Sequence, residues 1–181
     1  MLLKNNRSEI SKNKIKKMEP HYYFVDVNWD QDRKGTLCSP ELTFSSNNFN
    51  GCIDVATPPQ FPKGIPGIWS PEHLFTASVC SCLMTTFLAI AENSKLEFKS
   101  FKCKSKGKLE NVDGKFEMSE IILEPIVTIL HEKDRERAER IVLKSEAACL
   151  ITNSIKSKIT MNVEILVHEI PVDEIEVDSL K

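Results

Sequence analysis

IWSPEHLFTASVCSCLMTTFLAIAEN, residues 68–93, is the stretch on which the reading of this chain turns. Ser70 fits an N-cap, because its hydroxyl can accept an N–H that the first helical turn leaves unpaired. Pro71 fits the following position, where a missing N–H costs nothing, and Glu72 puts negative charge at the positive end of the helix dipole. These signals predict a helix from Pro71 to about Asn93. Leu74, Phe75, Val79, Leu83, Met84, Phe87, Leu88 and Ile90 leave it almost no polar side, as in a helix enclosed by a core. The same helix carries Cys80 and Cys82. Two positions correspond to about 200° of rotation, so the sulfurs point to opposite faces and cannot share a metal or act as one dithiol.

Upstream, Pro58, Pro59, Pro62, Gly64, Pro66 and Gly67 impose a loop. Before it, residues 21–29 (HYYFVDVNW), 35–44 and 50–57 read as three strands of a meander, with a turn at 30–35. Downstream, residues 96–109 and 116–130 read as a hairpin about Asp113-Gly114, and Pro125 predicts that its second strand is broken or at an edge. A second helix is expected over 131–155, solvated at its start and apolar at its end, then a last strand over 161–170. Residues 1–17, with six basic side chains against Glu9 alone, read as a disordered basic tail, leaving 18–181 as a single domain.

The 181 residues are 41% hydrophobic, enough for one domain with a sizeable core. A formal charge of -2, from 24 basic and 26 acidic residues, offers no attraction to nucleic acid. No apolar run approaches the roughly 20 residues that span a bilayer, and the start lacks a secretory apolar region. A soluble cytoplasmic protein without membrane association is expected. The six cysteines are spread through core-forming segments, so a disulfide scaffold is not expected, and the default for each is a buried small hydrophobe. The four histidines are dispersed without ligand spacing, and neither a metal nor a cofactor is expected.

Small neighbours surround two of the cysteines: Ala77, Ser78 and Ser81 near Cys82, and Ser145, Ala147 and Ala148 near Cys149. They suit a tight helix crossing and also the approach that a disulfide needs. The segment from Trp69-Ser70-Pro71-Glu72 to Cys82 resembles that of the OsmC/Ohr family, in which Pro-Glu opens the central helix and a reactive cysteine follows eleven positions after the proline. Ala147-Ala148-Cys149-Leu150-Ile151-Thr152-Asn153 is similar to the family's second-cysteine segment, although the Ohr branch usually has proline where Leu150 stands. Asp32-Arg33-Lys34-Gly35 stands for its Gly-Arg-Asp-Gly turn.

The resemblance implies an α+β OsmC-like fold, with antiparallel sheets wrapped around two central helices in an intertwined homodimer. It implies a peroxidase acting on organic hydroperoxides, in which Cys82 attacks, Cys149 resolves the product as a disulfide, and Arg33, fixed by Glu72, stabilises the thiolate. The expected reductant is a dithiol such as a lipoylated protein. Cys82 lies about three turns past Pro71, beyond the reach of the helix dipole, so a cation from elsewhere must lower its pKa; Lys34 is the alternative to Arg33. A substrate pocket is expected from Phe61, Ile68, Trp69, Phe75, Met84 and Phe87. Glu72 and Cys82 are about 15 Å apart along a straight helix, so one site using both needs either a sharp bend near the helix start or a second subunit; with no proline or glycine from Leu74 to Val79, a second subunit is the simpler reading. The competing reading is a non-catalytic protein of the same fold that binds an apolar ligand or partner. Acyl transfer ranks last, for want of a Cys/His pair.

Overall fold

Helix α1 (Pro71–Asn93) begins where its capping residues place it, with the Ser70 hydroxyl accepting the N–H of His73 at 3.4 Å. It is the centre of the computed structural model, which describes residues 19–42 and 51–168. Its buried side chains Val79, Leu83, Phe87 and Ala91 recur every four positions and so form one stripe. Val79 and Leu83 pack with Ile121 and Leu123, whereas Phe87 and Ala91 pack with Val127, Ile129, Ala138 and Val142. The other side carries Ser81, Met84, Thr85 and Leu88, all exposed. By length and composition α1 could cross a membrane, with a mean hydropathy of 1.9 in its most apolar window, contrary to the expectation that no segment comes close.

The first sheet is an antiparallel meander of β1 (Asp26–Gln31), β2 (Lys34–Cys38) and β3 (Cys52–Ala56), in that order. The aromatic residues 21–25, expected in the first strand, lie outside it. The reason is that β2 ends at Cys38, opposite Asp26, and leaves them no partner. Cys38 faces Cys52 across the β2–β3 pair, with Cα atoms 4.1 Å apart, and the two form a disulfide. That corrects the expectation that both are unbonded core thiols. Ala56 donates its N–H to the Trp69 carbonyl at 2.8 Å, and Ile65 donates to Thr57 at 2.9 Å. The proline-rich loop is therefore a closed excursion that brings the meander to the start of α1.

The second sheet is built on the hairpin of β4 (Phe98–Val112) and β5 (Lys115–Ile129). Its turn residues Asp113 and Gly114 both have positive φ, 50° and 83°, as a two-residue turn of the primed type requires. Strands β6 (Lys158–Met161) and β7 (Glu164–Val167) lie end to end along the far side of β5, parallel to it. The sheet is thus mixed rather than wholly antiparallel, because α2 (Arg135–Ala148) carries the chain back between β5 and β6. The expected last strand is two pieces, and its residues 169–170 lie outside the described residues, as do the N-terminal tail and residues 43–50.

Pro125 was expected to break β5 or mark an edge, yet β5 is continuous and central, paired on both sides. Pairing with β6 ends at Leu123 and pairing with β7 starts at Ile126, so Pro125 lies in the gap where no ladder hydrogen bond is asked of it. The second helix is also shorter than expected: it ends at Ala148, and Cys149 is extended at φ -66°, ψ 116°. Asn153 accounts for the stop. Its side-chain amide donates to the Ala147 carbonyl at 3.2 Å and its backbone N–H to the Cys149 carbonyl at 3.1 Å, satisfying acceptors that further helix would have used.

Candidate active site

Helix α1 presents Cys82 to the end of α2, where Cys149 waits in the cap position. Cys149 is fully buried and Cys82 is 9% exposed, and the two thiols stand close enough to shift one another's ionisation. The two are displaced in opposite senses. Burial pushes the Cys82 thiol up, but donors outweigh it: the Cys149 thiol, the Ile151 N–H, the Thr86 hydroxyl 4.0 Å away and the Leu150 N–H together hold Cys82 below its ordinary value. Cys149 is held above its ordinary value by burial first and then by the hydrogen bond to Cys82, with Thr152 opposing. One thiol is thereby primed to ionise and its neighbour to remain a proton donor.

Within one chain, the groups that lower Cys82 are neutral donors and not the cation that sequence reasoning sought. The chain leaves α2 in an extended conformation at Cys149, and the amides of Leu150 and Ile151 become donors to Cys82. Thr86 was legible in principle, since it follows Cys82 by four positions and so shares its helix face. The amides were not, because they depend on where α2 stops.

Arg33 and Glu72 come together elsewhere. The β1–β2 turn and the first turn of α1 bring both to a cavity of about 690 Å3, which Trp29 and Phe61 also line. No ion pair joins them there. Glu72 keeps one buried carboxylate oxygen, Oε2, without a hydrogen-bond partner among the described residues. Lys34, the alternative cation, is tied to Asp54 at 2.8 Å. A larger cavity of about 980 Å3 adjoins at Glu72 and Phe61, with Trp69, His73, Phe116 and Met118 in its walls. Neither Cys82 nor Cys149 lines either cavity. Of the six residues expected to form a substrate pocket, Phe61 and Trp69 line the larger cavity, whereas Phe87 is wholly core and Phe75 packs beside Val79 and Leu83.

Cys80 projects from the face of α1 opposite Cys82, as its spacing requires. Its Sγ lies 3.8 Å from the Cys103 carbonyl on β4, close enough for Cys80 to shift the ionisation of the Cys103 thiol. Among the described residues no group of three or more His, Cys, Asp or Glu side chains is placed to hold a metal.

The family model for OsmC-like proteins matches residues 64–164, more than half of the chain and both halves of the thiol pair. The chain belongs to the OsmC-like family. Uncharacterized protein YmaD of Bacillus subtilis (strain 168) is 24% identical over 152 residues, covering 81% of this chain and 95% of its own length. Among solved structures, an OsmC-like protein from Vibrio cholerae superposes with a TM-score of 0.69 at 20% identity, covering 80% of this chain and 99% of its own. An organic hydroperoxide resistance protein OsmC from Legionella pneumophila superposes with a TM-score of 0.60 at 20% identity, covering 83% and 100%. The likeness to these OsmC-like structures is one of fold.

Proposed function

We propose that this OsmC-like chain is a thiol-dependent peroxidase for organic hydroperoxides, with Cys82 the nucleophile and Cys149 the resolving thiol. The observation that carries the proposal is two buried thiols, Cys82 on α1 and Cys149 at the cap of α2, that shift one another in opposite senses, Cys82 downward and Cys149 upward. A thiolate is what attacks a peroxide, and a protonated neighbour is what the next step consumes. The Cys82 thiolate takes the terminal oxygen of the hydroperoxide, the O–O bond breaks, and the alkoxide leaves as alcohol once protonated. The sulfenic acid left on Cys82 condenses with the Cys149 thiol, forming the S–S bond and releasing water. A dithiol reductant, such as a lipoylated protein, then returns both sulfurs to thiols in the cytoplasm.

The working unit in this reading is an intertwined homodimer with two composite sites. Three features support it. The stripe of Ser81, Met84, Thr85 and Leu88 leaves an apolar side of α1 uncovered, with Met84 39% and Leu88 42% exposed. Leu150, beside Cys149, is 68% exposed and Trp29, beside the Arg33 cavity, is 76% exposed. The unpaired Glu72 oxygen needs a donor, since a buried carboxylate oxygen without one is costly. A second copy seated on α1 brings its Arg33–Glu72 cavity over the first copy's Cys82, where the guanidinium fork can hold both the thiolate and the departing oxygen.

Substoichiometric cumene hydroperoxide followed by intact mass and peptide mapping tests the reaction. Two hydrogens should be lost per oxidised chain, assigned to a Cys82–Cys149 bond, and Cys82→Ser should show no rapid loss. A bond from Cys149 to Cys80 or Cys103 overturns the assignment. A chain that keeps all its thiols under this treatment is the non-catalytic protein of the competing reading.

A further inference from the structure

The described free cysteines are Cys80, Cys82, Cys103 and Cys149, and they divide into two touching pairs, only one of which the proposed reaction uses. Cys80 lies on α1 and Cys103 on β4, 23 positions apart in sequence, in a part of the core where helix and strand approach closely. Gly107 on the same strand shows how closely: a Cβ there would sit 2.2 Å from the Thr76 hydroxyl oxygen of α1. Cys80 and Cys103, like Phe101 and Met118, are partly buried and pack against the cluster of Val79, Leu83, Ile121 and Leu123. The Glu124 carboxylate acts on Cys103 as well, and it disfavours the thiolate there.

We propose that Cys80 and Cys103 are a second oxidisable pair, which hydroperoxide closes into an internal disulfide that staples α1 to β4. The pair lies on the other face of α1 from Cys82 and works without it, so this inference stands apart from the proposed reaction. Cys80 is the attacking sulfur. Cys103 is the resolving one, because burial, followed by the neighbouring Cys80, pushes its thiol up to about 12 and keeps it protonated. Cys80 takes the terminal oxygen of the hydroperoxide and releases the alcohol. The resulting sulfenic acid then condenses with the Cys103 thiol, giving the disulfide and water. Two thiols are oxidised and one hydroperoxide is reduced. Each chain then holds two separate two-electron couples, and filling the second fixes the helix that carries Cys82 against the sheet.

The test uses the full chain with Cys82→Ser and Cys149→Ser, treated with excess cumene hydroperoxide. The expected result is the loss of two hydrogens, mapped to a Cys80–Cys103 bond and abolished by adding either Cys80→Ser or Cys103→Ser. Cys80 and Cys103 both remaining open to alkylation, or Cys80 carrying two or three oxygens beside a free Cys103, overturns the proposal. If the double variant does not fold, wild-type chain titrated with peroxide serves instead. There the Cys80–Cys103 bond should appear after the Cys82–Cys149 bond is complete, and its absence under large excess overturns the proposal equally.

Discussion

Replacing Cys149 with alanine deletes one of the four donors that hold the Cys82 thiol below its ordinary value and leaves the Thr86 hydroxyl and the amides of Leu150 and Ile151 in place. A hydrogen bond to an ionised group contributes about 1.5–3 kcal/mol net, and each 1.4 kcal/mol or so is tenfold in an ionisation equilibrium. The thiolate fraction of Cys82 at neutral pH should therefore fall roughly ten- to a hundredfold, nearer the smaller figure because S–H is a weak donor. Losing a donor disfavours the charged form, so the midpoint of ionisation moves to higher pH. Cys149→Ser keeps a donor at the same place and should stay within a few-fold of the parent. The assay is the rate of iodoacetamide alkylation against pH in a background with Cys80→Ser and Cys103→Ser, with peptide mapping to separate Cys82 from Cys149 in the parent. An alanine variant that titrates at or below the parent, or serine and alanine variants that shift equally, would refute the account of how Cys82 is primed.

Arg33→Ala should slow peroxide consumption far more than Lys34→Ala, since Lys34 is engaged with Asp54 and lacks the planar fork; equal effects in single-turnover kinetics would mean that bare charge suffices. Leu88→Glu puts a charge in the exposed apolar stripe of α1, and light scattering should show monomers whose peroxidase activity is lost together with the dimer. Gly107→Val forces a side chain toward Thr76 Oγ1 and the Met118 methyl, and thermal unfolding should report a loss of about 1–3 kcal/mol. Leu83→Ala, at a side chain 1% exposed, should cost about 2–5 kcal/mol by the same measurement.

The start of α1 and the β4–β5 turn were legible because each is settled locally. Ser70 and Pro71 need only their own neighbours to cap a helix, and Asp113-Gly114 needs only its own φ values to turn a strand. What escaped was what distant pairing decides. Pro125 reads as a breaker until β6 and β7 are seen to divide their pairing around it. Cys38 and Cys52 become a bonded pair only through a cross-strand register that the intervening residues do not announce. The positions of Cys82 and Cys149 were readable by resemblance, but their electrostatics were not, because the donors are backbone amides exposed by the early end of α2. The separation of Arg33 and Glu72 from Cys82 within one chain follows from the unbroken course of α1, which the lack of proline or glycine between Leu74 and Val79 already required.

The parallel seat of β6 on β5 sets a timetable for the thiols. The β4–β5 hairpin can zip outward from Asp113-Gly114 through contacts between near neighbours, on the timescale of hairpin formation. Cys149 reaches Cys82 only after the chain has passed through α2, 67 positions beyond Cys82, and the β5–β6 pairs that follow join residues 38 positions apart, as in Glu120 and Lys158. Such long closures come late and slowly. Under the proposed reaction, a nascent or half-refolded chain carries Cys82 before it has a resolving partner, in the interval when a sulfenic acid has nothing to condense with and can be driven on to the irreversible sulfinic state. Oxidant present during synthesis and oxidant met by the finished molecule pose different hazards, and the order of the strands is what separates them.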